Sequence, residues 1–144
     1  MKKRVKPTER FKSEMKAQGF NDINALCKDI ATHLTYEDLR IPYLGRIGSL
    51  IDPPGASDAG LGHIHLWDIS NPTFTIDRQS AWKSANNSYS RTSNTCIVYS
   101  GHWERESDVL LMGVATPCHG SGSLLYDRNF MDYFMQEGES FQDS

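Results

Sequence analysis

The chain has no apolar run long enough to cross a bilayer, no closely spaced pair of cysteines and no surplus of positive charge. The first absence argues against a helical membrane span. The second argues against a zinc knuckle or a redox dithiol, since Cys27, Cys96 and Cys118 are widely scattered. Cys27 and Cys96 fall within apolar patterns and read as small core residues; Cys118, beside Pro117 and His119, reads as core or, less commonly, as a nucleophile. The third argues against a general electrostatic binder of nucleic acid, because the formal net charge is −3. Residues 1–50 carry ten Lys or Arg against six Asp or Glu, and residues 51–144 carry five against twelve. Any RNA would therefore need a local basic pocket or another macromolecule to hold it. The basic start, Met1 to Lys6, lacks the apolar stretch of a secretory signal, so a cytoplasmic protein is expected. A length of 144 residues suits one domain, 1–144, and no internal repeat is visible.

The pattern predicts an α+β fold. Within 1–36, Thr8 can cap a short helix carrying Phe11 and Met15 on one face, with Gly19 ending it. A second helix starts near Asn21 or Asp22, its stripe being Ile23, Leu26, Cys27, Ile30, Ala31 and Leu34. Residues 37–61 are rich in Pro and Gly and read as a shaped loop with a short strand at Gly48–Ile51. Residues 62–119 hold the sheet, with strands at 62–68, Thr95–Ser100 and Asp108–Thr116. The last of these is nearly all apolar and is expected at the buried centre. Between them, Ser70 to Asn94 is polar and too long for a hairpin connection. Within 120–137 a short helix is expected over about Arg128–Met135, and 138–144 reads as a frayed tail.

The chemistry concentrates in Gly62-His63-Ile64-His65-Leu66. Alternation along a strand sends His63 and His65 to one face and Ile64 and Leu66 to the other. Two imidazoles side by side can move protons near neutrality; they can equally be half-buried hydrogen-bonding residues or, with His119, ligands of a metal ion. Arg91 lies in Ser90-Arg91-Thr92, where a guanidinium and two hydroxyls could hold phosphate oxygens, or where the arginine could simply pair with an acid. Tyr99 should share a face with Ile97; its phenol could orient a substrate or fill the core. Trp67, Trp82 and Tyr89 could stack on bases, with Lys83 adding charge, although such aromatics more often pack. His102 and Trp103 are expected to be exposed and unrelated.

Taken in order, His63-Ile64-His65-Leu66, Asn71-Pro72, Ser90-Arg91-Thr92, Val98-Tyr99, Leu110-Leu111 and Pro117 with His119 resemble the YafO family of ribosome-dependent mRNA interferase toxins. Met131 and Phe141 fall at similar spacings. Ile41-Pro42 with Gly45-Arg46 is similar to the segment before the family's His-x-His strand, and adds Arg46 to the candidate substrate-binding groups Ser90, Thr92, Trp82 and Lys83. The similarity covers about residues 22–141. Two features depart from the family: Ile47 replaces an acidic residue after Gly-Arg, and the C-terminal helix is acidic rather than basic.

The resemblance implies a RelE/ParE-like domain, with N-terminal helices on a small antiparallel sheet and a short C-terminal helix. It implies an endoribonuclease acting on ribosome-held mRNA without metal or other cofactor, inhibited by a cognate antitoxin and having no membrane partner. His63, His65, Arg91, His119 and Tyr99 are then the catalytic candidates. The alternatives left open are a metal-dependent hydrolase using His63, His65 and His119, and a toxin-like protein that binds without cleaving.

Overall fold

A computed structural model describes residues 2–36, 41–120 and 122–144. Residues 37–40, the start of the expected Pro/Gly-rich loop, lie outside the described residues. The fold is α+β, a five-stranded mixed sheet of order β1-β5-β4-β3-β2 with helices on both faces. The strands are β1 (Arg4–Pro7), β2 (Leu44–Ser49), β3 (Leu61–Leu66), β4 (Cys96–Gly101) and β5 (Asp108–Ala115). The helices are α1 (Glu9–Ala17), α2 (Ile23–Thr35), α3 (Ile76–Ser84) and α4 (Arg128–Gln142). No helix among the described residues is long and apolar enough to cross a membrane.

Local signals place the first two helices where the sequence predicts them. Thr8 accepts a hydrogen bond from the Phe11 amide and Asp22 from that of Ala25, each satisfying a donor with no partner in its own helix. Gly19, at φ 100°, takes the left-handed turn after α1. The two helices bury Phe11, Met15, Leu26 and Ile30 against Leu44, Ile64, Leu66, Ile97 and Leu111. Helix α4 covers part of the other face, where Met131, Phe134 and Met135 pack on Leu61, Val98 and Met112.

Five expectations need correction. The sheet is mixed, because β1 runs parallel to β5 in the register Arg4–Asp108 to Pro7–Leu111. The strand expected at 48–51 runs instead from Leu44 to Ser49, with a bulge between Leu44 and Ile47. The polar stretch after Ser70 contains α3, capped by Thr75, and Trp82 is its buried residue. The expected tail is helical to Gln142, whose amide nitrogen donates to Gly101 O at 2.9 Å and ties α4 to the end of β4. The apolar strand β5 is interior, but β4 occupies the middle of the sheet.

Candidate active site

Strand β3 pairs with β4 in the register His63–Val98, Ile64–Ile97 and His65–Cys96. Paired residues share a face, so His63 and His65 project with Val98 and Cys96 to the α4 side, while Ile64 and Ile97 enter the core beneath α1 and α2. The edge strand β2 makes room for the rings. A Cβ at Gly48 would stand 2.9 Å from Cε1 of His63, so only glycine lets that imidazole lie where it does. The bulge opposite His65 holds Arg46, and bulges commonly re-aim side chains beside functional sites.

His119 arrives from the turn beyond β5. The Asn94 carboxamide oxygen accepts from the amides of both Cys118 (3.1 Å) and His119 (2.8 Å). Ser123 Oγ donates to Cys118 O at 2.6 Å, holding the same turn from the other side. The result is a trio of imidazoles. The rings of His65 and His119 stack with centroids 4.7 Å apart, and His63 stands 5.4 Å and 5.7 Å from them. Nε2 of His119 lies 3.0 Å from Nε2 of His65. On its other side His65 Nδ1 faces Ser93, 2.8 Å from the amide nitrogen and 2.9 Å from the carbonyl oxygen. Nδ1 of His63 is buried with no hydrogen-bond partner.

All three imidazoles are held below the ordinary histidine range. Burial is the first cause in each case, because it disfavours the cation. His63 is pushed down to about 4 and His65 to about 3, with His119 as the next contributor to both. His119 is also lowered, after burial, by the positive charges of Arg46 and Arg78. At neutral pH the trio is therefore uncharged, with basic lone pairs available, and the outermost ring feels the positive charge of two arginines. A recess of about 330 Å³ opens beside His119, lined by Thr73, Arg78, Ser93 and Asn94.

The remaining sequence candidates distribute differently. Arg91 is 8% exposed and donates through Nη1 to Ile41 O (3.0 Å) and through Nε to Trp82 O (3.3 Å), so it braces the chain rather than facing the imidazoles. Its own carbonyl accepts from the Arg46 amide at 2.8 Å, which links that bracing to the bulge. Tyr99 shares the Ile97 face, as expected, and thereby lies across the sheet from the histidines. It lines a cleft of about 420 Å³ with Leu34, Ile47 and Ser49. Trp82 is buried, its Nε1 donating to Pro42 O at 2.9 Å, so its ring packs rather than waiting for a base. Lys83 sits 5.5 Å over the ring of Trp67, beside a small apolar pocket shared with Tyr43. Ser90 is exposed at the end of a single 3-10 turn and Thr92 is half-buried. Arg46 lies 3.9 Å over the ring of Tyr89 and donates to its carbonyl at 2.6 Å.

Two further readings are corrected, one for Cys118 and one for His102. Cys96 and Cys118 form a disulfide directly under the imidazoles, so Cys118 is not a free nucleophile. His102, expected to be exposed, is buried, and its Nδ1 accepts from the amides of Glu104 and Arg105. Arg78, Ser93 and Asn94 were missed from sequence because each lies in polar chain without a motif. Only the proximity of Ser93 and Asn94 to the Ser-Arg-Thr segment hinted at them.

A family model described as Toxin YafO, type II toxin-antitoxin system, matches residues 14–143. No curated protein and no solved structure matches the chain.

Proposed function

The chain belongs to the YafO toxin family of type II toxin–antitoxin systems, and on that premise we propose that it is an endoribonuclease cutting mRNA held by the ribosome, with the imidazole trio as its acid–base centre. Membership in such a family implies a cognate antitoxin as partner. The observation that carries the enzymatic reading is the 3.0 Å approach of the His65 and His119 Nε2 atoms inside a neutral, half-enclosed cluster.

Two neutral imidazoles in that contact share a single hydrogen, so one nitrogen is a donor and the other an acceptor. One of the inner pair, His63 or His65, removes the proton from a ribose 2′-hydroxyl. The 2′-oxygen attacks phosphorus, the bond from phosphorus to O5′ breaks, and His119 supplies the proton that the departing oxygen needs. Substrate arrival favours this division. A phosphodiester pairing with Arg46 and Arg78 cancels the positive charge that depresses His119, and so promotes its protonation at the moment an acid is required. The same guanidiniums stabilise charge building on the phosphoryl oxygens. Arg91 acts one step back, by bracing the segment that carries Arg46.

The ribosome's part follows from charge. A chain of net charge −3 gains little from counterion release on free RNA, so a message already held and bent offers the positioning that the protein cannot supply alone. Product chemistry tests the mechanism. Cleavage by the 2′-hydroxyl leaves a 2′,3′-cyclic phosphate and a 5′-hydroxyl; ends carrying a 5′-phosphate would instead require water as nucleophile and would overturn it.

A further inference from the structure

We propose that His63, His65, His119 and Cys96 form a binding site for a soft divalent cation of the zinc class, open only when the Cys96–Cys118 disulfide is reduced. One ligand atom from each of the four residues lies within 4.8 Å of all the others. Tetrahedral zinc with nitrogen and sulfur ligands needs edges of about 3.3–3.6 Å. The 3.0 Å separation of the His65 and His119 Nε2 atoms is already that close, and small side-chain rotations bring in the rest.

Two further features fit ligation. Nδ1 of His63 is buried with no hydrogen-bond partner. When His65 carries its proton on Nδ1, that nitrogen can donate to the Ser93 carbonyl at 2.9 Å in place of accepting from the Ser93 amide at 2.8 Å, and so orient a metal-bound imidazole through its other nitrogen. Charge explains what the thiolate adds. Arg46 and Arg78 stand near His119, so three neutral imidazoles alone would meet a dication in a positive field. A Cys96 thiolate supplies the negative charge and the soft donor together.

In the disulfide the Cys96 sulfur is bonded to Cys118. Two molecules of a low-molecular-weight thiol reduce the S–S bond to two thiols and leave as their own disulfide. Cys96 then gives its proton to solvent as the metal binds, while Cys118 remains a thiol. A bound metal takes the lone pairs that acid–base chemistry needs, so the loaded reduced protein is catalytically silent. That consequence rests on the proposed ribonuclease reading, but the binding itself does not.

Cobalt(II) serves as the spectroscopic probe on the full chain, with zinc as competitor. The Cys118→Ser variant, whose Cys96 is permanently free, and the reduced wild type are expected to bind cobalt stoichiometrically. Both should show tetrahedral visible bands and a near-ultraviolet thiolate charge-transfer band that zinc abolishes. The oxidised wild type and reduced Cys96→Ser should lack the thiolate band, with circular dichroism confirming that each variant is folded. Absence of stoichiometric cobalt in Cys118→Ser, or a spectrum without the thiolate band, would overturn the site. In parallel, mRNA cleavage by metal-free Cys118→Ser is expected to be lost on adding zinc and regained with a chelator. If the metal-free protein never cuts mRNA, the ribonuclease reading falls, and the cobalt spectrum still decides the metal site.

Discussion

The Asn94 carboxamide oxygen accepts two consecutive backbone amides, those of Cys118 and His119, across 24 and 25 residues of sequence. With the Asn94 backbone carbonyl and the Ser123 hydroxyl, which hold Cys118 in the same turn, this acceptor fixes where the His119 ring meets His65. Under the proposed ribonuclease function, this makes Asn94 a positioning residue for chemistry that it does not itself touch.

Asn94→Ala is therefore expected to lower kcat more than it raises KM, and to cost about 1–3 kcal/mol of stability for the unpaired His119 amide, that of Cys118 keeping the Asn94 backbone carbonyl as acceptor. Asn94→Asp keeps the accepting oxygen and should restore much of kcat. A purely structural role would instead lower stability and leave the kinetic constants of the folded fraction unchanged. Single-turnover kinetics beside a denaturant titration separates the two.

Arg46 and Arg91 should fail in different ways. Arg46→Ala removes an exposed-side cation near the imidazoles and is expected to cut mRNA cleavage strongly with little change in melting temperature. Arg91→Ala strips donors from the Ile41 and Trp82 carbonyls and should cost about 1.5–3 kcal/mol, lowering activity through the fold. Thermal melts of both variants, paired with cleavage assays, decide this. Equal stability in the two would contradict the bracing assigned to Arg91.

Gly48→Ala tests the room made for His63. The new methyl would meet the His63 ring at 2.9 Å, so the imidazole must turn away. Cleavage should fall while the β2–β3 pairing survives. The His63 ring resonances in an NMR spectrum should shift, with the β-sheet amide pattern retained.

Acid should weaken the fold over a defined window. In the unfolded chain His63 and His65 titrate near 6.5, whereas in the folded protein they do so at about 4 and about 3. Between those values the unfolded state binds more protons, so stability is fully present above pH 6.5 and is lost as pH falls toward 4 and then 3. Each imidazole removes on the order of 1 kcal/mol per pH unit there. Urea midpoints of the chelator-treated protein at pH 7, 6 and 5 should fall in that order; His65→Gln should flatten the slope. A midpoint unchanged from pH 7 to pH 5 would show that the imidazoles are not held neutral by burial.

What the sequence made legible is what local chemistry specifies. Thr8, Asp22 and Gly19 mark helix ends through bonds within a few residues, and alternation alone put His63 and His65 on one face opposite Ile64. The parallel pairing of β1 with β5 joins Arg4 to Asp108, and nothing in a charged four-residue stretch announces a partner that distant. Helix α3 buries Trp82 and little else, so it has no apolar stripe to read. Arg91 lies in the most conspicuous polar motif yet faces backbone carbonyls, while Arg78, on an unremarkable helix, shares the recess beside His119. Side-chain direction at a loop end depends on tertiary packing, and the motif carried no information about it.

If the imidazole trio cuts messages on the ribosome, mapping RNA ends in a cell-free translation system reads that cleavage itself. Wild-type protein should produce cuts confined to translated regions, His119→Ala should produce none, and the same RNA without ribosomes should stay intact at physiological salt. Equally efficient cutting of protein-free RNA, or normal translation with an intact message, would contradict it.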